Sequence, residues 1–273
     1  MDNTFQLLIS TMNKNCLADI ERMLYKNNIK SDYLIVNQMT DKYRYCDSFS
    51  EKVICVNEKG LSRSRNRLLS MSESDICLIA DDDIYYYEDL EKKILNGFQQ
   101  NEGYDVIAFY VERTDQYSPK KKGKKKKINI FSSLGLMSVQ IAFKRESIKK
   151  ENIQFDVMFG AGSGFYKDGE ENIFLFDCIR KKLKILYLPI TIAKTMENES
   201  TWYSGMDVDY LNSKGALFYR LFGSFSWLLQ LGFAILKYKQ YRDEVSFLGA
   251  INALKKGRYK YKKDREKNKG EIC

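Results

Sequence analysis

The sequence contains no histidine, and this absence excludes several classes of catalytic chemistry. Serine–histidine triads, histidine zinc sites and histidine general bases all require that side chain. Any catalysis by this chain therefore has to use carboxylates, lysine, tyrosine or a metal ion held by oxygen ligands.

Proline and paired cysteine are also scarce. Two prolines and 16 glycines among 273 residues argue against a fibrous or low-complexity chain. The six cysteines form no Cys-x-x-Cys pair, and no signal peptide is evident, because a polar start leads directly into an apolar run. We therefore expect free thiols, a cytoplasmic setting, and one large α/β domain with or without a small C-terminal extension.

Positive charge, by contrast, is in excess. The net charge is +9, from 45 basic and 36 acidic residues, and a large share of the excess lies in residues 120–127 and 255–269. Such an excess favours anionic partners, which include nucleic acid, phosphorylated small molecules and the inner surface of a membrane. Charge alone does not choose among these partners.

Apolar runs alternate with helical patterns along the chain. The runs predict six buried strands, at residues 5–9, 33–36, 52–56, 75–80, 106–111 and 183–188. Residues 128–145 also have a strand-like pattern. The alternation predicts an α/β fold in which helices flank a mostly parallel sheet. We assign residues 1–200 to this domain and residues 201–273 to a basic, helical extension.

Three consecutive carboxylates, Asp81, Asp82 and Asp83, directly follow the fourth apolar run. They would repel one another strongly unless positive charge lies beside them. In an open α/β sheet, ligands bind at the carboxyl ends of strands. A divalent cation that bridges carboxylates and a diphosphate would explain both the charge and the position. For this run taken alone, an acidic cap of the following helix is the alternative.

Two further segments carry charge next to glycine. Gly60 precedes an arginine-rich helix start, whose N–H and guanidinium groups could bind phosphate; a solvated basic helix face is the alternative. Glu170 and Glu171 follow a glycine-rich loop at 160–164 and could take a proton from an acceptor hydroxyl. An acidic helix N-terminus is the alternative for this pair.

Together, these segments resemble the family 2 glycosyltransferases with the GT-A fold. The resemblance covers roughly residues 4–195. It is carried by five segments: Leu7–Asn13, Gly60–Asn66, Asp75–Asp83, Phe159–Ser163 and Gly169–Leu175.

The resemblance implies transfer of a sugar from a nucleoside-diphosphate sugar, commonly a UDP-sugar. It implies a donor site formed by Ser10, Thr11, Asn37, Gly60, Ser62, Arg65, Asn66, Asp81 and Asp82. Asp83, together with Asp81, would bind Mg²⁺ or Mn²⁺ as the family's DxD element. Glu171 would be the catalytic base and Glu170 would help to position the acceptor, with Glu171 standing where relatives usually carry aspartate.

The mechanism expected from this assignment is an in-line displacement. The metal and Arg65 neutralise charge on the departing diphosphate. Glu171 takes the proton of the acceptor hydroxyl as its oxygen attacks the anomeric carbon, which inverts the configuration.

Two departures from the family pattern are visible. Many relatives carry a histidine metal ligand after the last strand, where this chain has Lys194 and Thr195, so we expect fewer protein ligands to the metal. The Pro-Thr-x-Asn start of many relatives reads Ser-Thr-Met-Asn at residues 10–13, which is a mild change.

The most apolar stretch, residues 216–236, is just long enough to span a bilayer but contains Arg220 and Gln230. A membrane span, an interfacial helix and a helix packed on the catalytic domain all remain possible interpretations. With the basic loop at 120–127, the stretch indicates a lipid-linked saccharide acceptor, as in capsule, exopolysaccharide or O-antigen synthesis. We expect a peripheral position at the cytoplasmic face of the cell membrane; mere solubility and packing are the alternative.

Three rival functions are weighed against this interpretation. A nucleic-acid-binding protein would explain the charge and the Lys–Tyr interleaving at 259–263, but no known motif is present, so we expect no nucleic-acid partner. A sugar nucleotidyltransferase would share the fold, but the N-terminal region has no glycine-rich signature followed by arginine and lysine. A catalytically inactive scaffold is the third.

Overall fold

A computed structural model describes residues 3–40, 50–114, 122–196 and 206–267. The strands are β1 (Phe5–Met12), β2 (Tyr33–Gln38), β3 (Val53–Val56), β4 (Ile76–Asp81), β5 (Ile84–Tyr86), β6 (Val106–Glu112), β7 (Lys126–Lys127), β8 (Ile141–Lys144) and β9 (Ile185–Thr195). The helices are α1 (Leu17–Lys26), α2 (Leu61–Met71), α3 (Leu90–Gln99), α4 (Ile130–Ser133), α5 (Arg145–Lys150), α6 (Glu170–Arg180), α7 (Val208–Phe222), α8 (Ser226–Leu236), α9 (Tyr238–Tyr241) and α10 (Phe247–Lys267).

One mixed sheet organises the N-terminal part of the molecule. Its strand order is β3-β2-β1-β4-β8-β6-β9-β5, and β7 pairs with β9. The strands β1 to β4 run parallel, whereas β8 runs antiparallel between β4 and β6. The predicted mostly parallel sheet is therefore confirmed, with a reversed strand near its middle.

The central strands are apolar throughout because both faces of the sheet are covered. Along β1, Leu7 and Ile9 pack into one core cluster while Leu8 packs into the cluster on the opposite face. Successive side chains of a strand point to opposite faces, so a strand buried on both faces shows a continuous apolar run rather than alternation. This is why the sequence predicts the central strands directly, whereas the short strands β5 and β7 were missed.

Residues 128–145 differ from the predicted strand-like pattern. Only Ile141–Lys144 forms a strand there, whereas Ile130–Ser133 forms helix α4 and Ser138–Gln140 forms a 3₁₀ turn. A capping box starts α4: the Asn129 side chain accepts from the Ser132 backbone N–H, and the Ser132 hydroxyl accepts from that of Asn129. These local hydrogen bonds compete with strand pairing and explain the difference.

The C-terminal helices form a separate layer in which α10 packs along α7 and also contacts α8. The axes of α7 and α10 approach closely at two glycines. A Cβ added to Gly215 would overlap the backbone oxygen of Leu254, and one added to Gly257 would overlap that of Asn212. The proposed division of the chain between residues 200 and 201 lies outside the described residues.

The apolar stretch 216–236 is not one continuous helix. It is divided at Gly223, which has a φ of 56°, between the end of α7 and the start of α8. Within the four described ranges, no helix is both long and apolar enough to cross a membrane. Of the three interpretations of this stretch, the membrane span is therefore wrong for the described residues.

Candidate active site

The carboxyl ends of the parallel strands bring the predicted donor residues together. Ser10 of β1 lies opposite Asp81 of β4, and Thr11 lies opposite Asn37 of β2. The chain proceeds from β1 to β2 and β3 on one side, then returns to place β4 on the other side of β1. This reversal creates the crevice in which open α/β sheets bind ligands.

The acidic run forms the turn between β4 and β5. Asp82 accepts a hydrogen bond from the Thr11 hydroxyl, and its carboxylate lies 3.2 Å from the ammonium of Lys14. The backbone N–H of Met196, just beyond β9, donates to the carbonyl oxygen of Asp83 at 3.4 Å. The repulsion expected within this run is thus offset at Asp82 by a lysine that the sequence analysis missed, since one lysine in a loop gives no recognisable signal.

A buried arginine joins the acidic turn to the glutamate pair. The side chain of Arg65 is only 2% exposed, and its terminal nitrogens donate to Asp81 and Glu170, each at 2.9 Å. It also donates to the Ser138 hydroxyl at 2.9 Å and lies over the ring of Phe155. Burial alone would lower the pKa of the guanidinium, but the two carboxylates raise it above its ordinary value, so the group stays charged.

This burial bears on the predicted contact between Arg65 and a diphosphate. Both terminal nitrogens already bind protein oxygens, and almost none of the guanidinium surface reaches solvent. In this conformation the arginine holds the carboxylates that line the site, and its direct contact with a diphosphate stays a prediction.

The turn at Gly60 and the glycine-rich loop at 160–164 pack against each other. The backbone N–H of Leu61 donates to the carbonyl of Ala161 at 2.9 Å, and the Ser62 hydroxyl donates to that of Phe159 at 2.7 Å. Gly160 has a φ of 99°, and a Cβ there would lie 3.2 Å from both the Ser62 hydroxyl and the Glu170 carboxylate. The glycines therefore allow two distant segments to meet beside Glu170.

Two predicted donor residues, Asn37 and Asn66, have their amides bonded to backbone groups. Asn37 is fully buried, accepts from the Lys14 N–H at 3.1 Å and donates to the Lys14 carbonyl at 2.8 Å. Asn66 makes the same pair of bonds with the backbone of Phe155, at 2.7 and 2.9 Å. Both amides thus fix loops around the site, and a direct contact with the donor stays a prediction for each. Ser10 accepts a hydrogen bond from Ser64, another residue that the sequence analysis missed.

Glu170 and Glu171 occupy the first turn of α6, immediately after Gly169 with its φ of 98°. Burial, with Arg65 acting against it, raises the pKa of Glu170. Burial and the nearby charge of Glu170 raise the pKa of Glu171 to about 8. A carboxylate with such a pKa can both accept and release a proton near neutral pH.

Helix α7 braces the turn that carries this pair. Lys214 forms an ion pair with Asp168 at 2.9 Å, and its charge also lowers the pKa of Glu171. A Cβ added to Gly169 would lie 2.9 Å from the side chain of Leu217, so α7 packs directly on the turn. The sequence pattern does not predict this contact, because Lys214 lies more than 40 residues from the glutamates.

Oxygen ligands suitable for a hard divalent cation are present at the acidic turn. Asp81 and Asp83 are both partly exposed there, and Arg65 binds only the Oδ1 oxygen of Asp81. Among the residues that the structure describes, no three histidine, cysteine or acidic side chains are close enough together to hold a metal. This donor set fits Mg²⁺ or Mn²⁺ only where one or two carboxylates share the ion with phosphate oxygens and water.

Comparison with known proteins agrees with this geometry. The model of glycosyl transferase family 2 matches residues 38–173, which include the acidic turn, Arg65 and the glutamate pair. No curated protein sequence gives a significant match.

Solved structures of low sequence identity share the fold. S. aureus TarS 1–349 in complex with UDP-GlcNAc is 14% identical, with a TM-score of 0.63 over 92% of this chain and 79% of TarS 1–349. The same fragment with UDP is 13% identical, with a TM-score of 0.58 over 89% and 75% of the two chains. A mycobacterial protein is 10% identical, with a TM-score of 0.51 over 80% and 75%. The chain thus belongs to glycosyl transferase family 2 and has the GT-A fold of its structural neighbours.

Proposed function

We propose that this chain is an inverting, metal-dependent glycosyltransferase of the hexosyltransferase class. It moves a sugar from a UDP-sugar to a hydroxyl group of a lipid-linked saccharide. The family and the fold support a nucleotide-sugar glycosyltransferase. Neighbours bound to UDP-GlcNAc and to UDP support the choice of the nucleotide.

One observation carries the proposal beyond the family. The guanidinium of Arg65 binds Asp81 and Glu170 together, each at 2.9 Å, so the acidic turn and the glutamate pair lie on two sides of one side chain. A donor diphosphate at the turn would then have its sugar close to the glutamates, which is the arrangement that transfer requires.

Some residues of the site position the carboxylates, and Glu171 acts on the acceptor. Thr11 and Lys14 orient Asp82, and Arg65 orients Asp81 and Glu170. We assign Glu171 as the base because its carboxylate, unlike that of Glu170, makes no hydrogen bond or ion pair with another described side chain. It removes the proton of the acceptor hydroxyl as the oxygen attacks the anomeric carbon.

Asp83 and Asp81 would hold Mn²⁺ or Mg²⁺ together with the donor diphosphate. When bound, the ion supplies positive charge that stabilises the departing nucleoside diphosphate. With no histidine in the chain, we expect its binding to depend strongly on the presence of donor.

We place the enzyme at the cytoplasmic face of the membrane, in the assembly of capsule, exopolysaccharide or O-antigen. The described lysines of the predicted basic loop are exposed, and α8 carries an exposed apolar surface. Residues 115–121 of that loop lie outside the described residues.

A donor screen tests the proposed function. The purified chain is incubated with Mn²⁺ and each common UDP-sugar, and UDP release is measured with and without saccharide acceptors. We expect release from at least one donor, and a loss of about 100-fold or more in Asp83→Ala. Glu73→Ala removes an exposed carboxylate that precedes β4, beyond the opposite end of that strand from Asp81, and should leave the rate unchanged.

Two results would contradict the proposal. The first is undiminished turnover of Asp83→Ala in the presence of EDTA, which would show that transfer needs neither Asp83 nor a metal ion. The second is release of pyrophosphate from UTP and a sugar 1-phosphate, with no sugar transfer, which would instead identify a nucleotidyltransferase.

The pH dependence of transfer tests the contact between α7 and the base. In Lys214→Met, the positive charge that lowers the pKa of Glu171 is lost, whereas Arg65 from α2 and Glu170 from α6 remain. The pKa of Glu171 therefore rises, and less of the base is deprotonated at neutral pH. We expect the acid limb of kcat/KM to move to higher pH, with activity about fivefold to tenfold lower at pH 7 and recovered near pH 9.

Two control variants distinguish the effect of the Lys214 charge from an effect on the fold. Lys214→Arg keeps the charge and should keep the profile, and Lys255→Met removes an exposed lysine of α10 without effect. A Lys214→Met enzyme that is equally impaired at every pH would show that Lys214 only supports the fold.

A further inference from the structure

Helix α8 is oriented with its small and polar residues inward. Ser226, Gln230 and Ala234, spaced four residues apart, are its buried residues. The Gln230 side chain donates to the carbonyl oxygen of Gly215 in α7 at 3.2 Å. A surface helix of a globular protein ordinarily buries its large apolar residues and exposes its polar ones. The distribution of polar and apolar residues between the two faces of α8 is the opposite of this pattern.

Most of the large apolar side chains of this helix face solvent, whereas Leu229 and Phe233 are half-buried against the core that α7 and α10 form. The exposed side chains and the residue before the helix form what we call the outer face of α8: Phe225, Trp227, Leu228, Leu231, Ile235 and Leu236. Each of these side chains is between 41% and 83% exposed. Apolar surface of this kind marks an interface with a membrane or another protein.

The charges next to the outer face favour an anionic membrane over another protein. Lys237 and Lys239 directly follow α8, whereas the charge of Arg242 is offset by Asp243, with which it forms an ion pair at 3.7 Å, and by Glu244. The segment nearest the outer face, 237–241, is therefore basic. Pairing with a second copy of the chain would bring two such basic segments together, which costs free energy. A bilayer with anionic lipids has an apolar interior and a negatively charged surface. Helices that bind at this surface combine Trp, Phe and Leu, which enter the apolar region, with Lys and Arg, which contact the headgroups.

The length of α8 is consistent with binding at the surface of the bilayer. Eleven residues extend about 17 Å, roughly half of the hydrocarbon thickness. A helix of this length that binds a bilayer would lie in the membrane plane. Because α7 contacts both Gln230 and, through Lys214, the turn at Asp168, one helix separates the outer face from the candidate base.

We propose that the outer face of α8 inserts into the interfacial region of a bilayer that contains anionic lipid, with Lys237 and Lys239 at the headgroups. The inference deepens the proposed function and rests on it for the reason a membrane is visited, namely a lipid-linked acceptor. The surface itself is independent of the chemistry at the acidic turn.

Tryptophan fluorescence and vesicle sedimentation test this on the full chain. The sequence has two tryptophans, so Trp202→Phe leaves Trp227 as a reporter on the outer face. With phosphatidylcholine vesicles containing about a third phosphatidylglycerol, we expect a blue shift of Trp227 emission and co-sedimentation of the protein. With phosphatidylcholine alone, binding should fall about tenfold or more.

Matched variants identify the surface. Leu228→Gln with Leu231→Gln should lower vesicle binding at least tenfold, whereas Leu17→Gln with Met71→Gln, two exposed apolar residues outside the outer face, should not. Lys237→Gln with Lys239→Gln should weaken binding to the anionic vesicles only. UDP release from donor without acceptor should stay unchanged in all of these variants, so a failure of this proposal differs from a failure of the proposed function.

Two outcomes would overturn the proposal. The first is Trp227 emission that does not respond to either vesicle. The second is a dimer in sedimentation equilibrium that Leu228→Gln with Leu231→Gln converts to monomer, because the occupant of the outer face would then be a second copy of the chain.

Discussion

Glu171→Gln is expected to lower kcat by about 10²-fold to 10⁴-fold. The amide has the shape of the carboxyl group but cannot accept the proton of the acceptor hydroxyl. Binding of donor is governed by the acidic turn and should change little, so KM for the donor and the thermal midpoint Tm should stay near those of the unmodified chain. Steady-state transfer kinetics and a thermal unfolding scan on the same preparation measure both quantities.

Glu170→Gln provides the contrast, because Glu170 is one of two carboxylates that neutralise the buried guanidinium of Arg65. Weakening a buried ion pair destabilises the fold, so Tm should fall in this variant and not in Glu171→Gln. Full transfer activity in Glu171→Gln would reject it as the base. Loss of activity in Glu170→Gln at unchanged Tm would identify Glu170 as the catalytic base.

Gly257→Ala is expected to be the most destabilising single methyl addition in the C-terminal layer. The new Cβ would overlap the backbone oxygen of Asn212, and a helix backbone cannot rotate away as a side chain can. Separating α7 from α10 should cost about 3 kcal/mol, which corresponds to a fall in Tm of roughly 5–10 °C. The same displacement would move Lys214 and Leu217 away from the turn at Gly169, so transfer should also slow.

Gly232→Ala is the matched control for this prediction. It also adds one methyl group to a helical glycine, but no atom lies within 4 Å of the new Cβ. Alanine favours the helix by up to about 1 kcal/mol over glycine, so Tm should be unchanged or slightly higher. Equal Tm values for the two variants would show that α7 and α10 can separate without cost.

The parts of the fold that the sequence predicts are those in which local pattern and burial coincide. The central strands of the sheet are covered on both faces, so each shows as an apolar run such as Ile76–Asp81, whereas the short strands β5 and β7 were not predicted. The acidic turn follows its strand directly, and parallel strands end at one edge, which brings Ser10 and Asp81 into register. The sequence therefore predicts where the site lies.

The contacts inside the site could not be predicted in the same way. Arg65 was expected to face the diphosphate because the family resemblance implies a donor pocket there, yet it joins Asp81, 16 residues away, to Glu170, 105 residues away. Such pairings depend on how distant segments fold together and leave no local signal. For the same reason, hydropathy identified residues 216–236 as apolar but not the break at Gly223 or the side on which α8 presents its leucines.

The inward face of α8 has a consequence for how this protein can change over evolutionary time. Contact with α7 and α10 relies on the buried Ser226, Gln230 and Ala234 and on the half-buried Leu229 and Phe233, and none of these belongs to the outer face. Mutations at Leu228, Leu231 or Ile235 can therefore accumulate without unfolding the protein or altering the acidic turn. The surface that selects where the enzyme works is free to diverge between lineages while the chemistry at the sheet is retained.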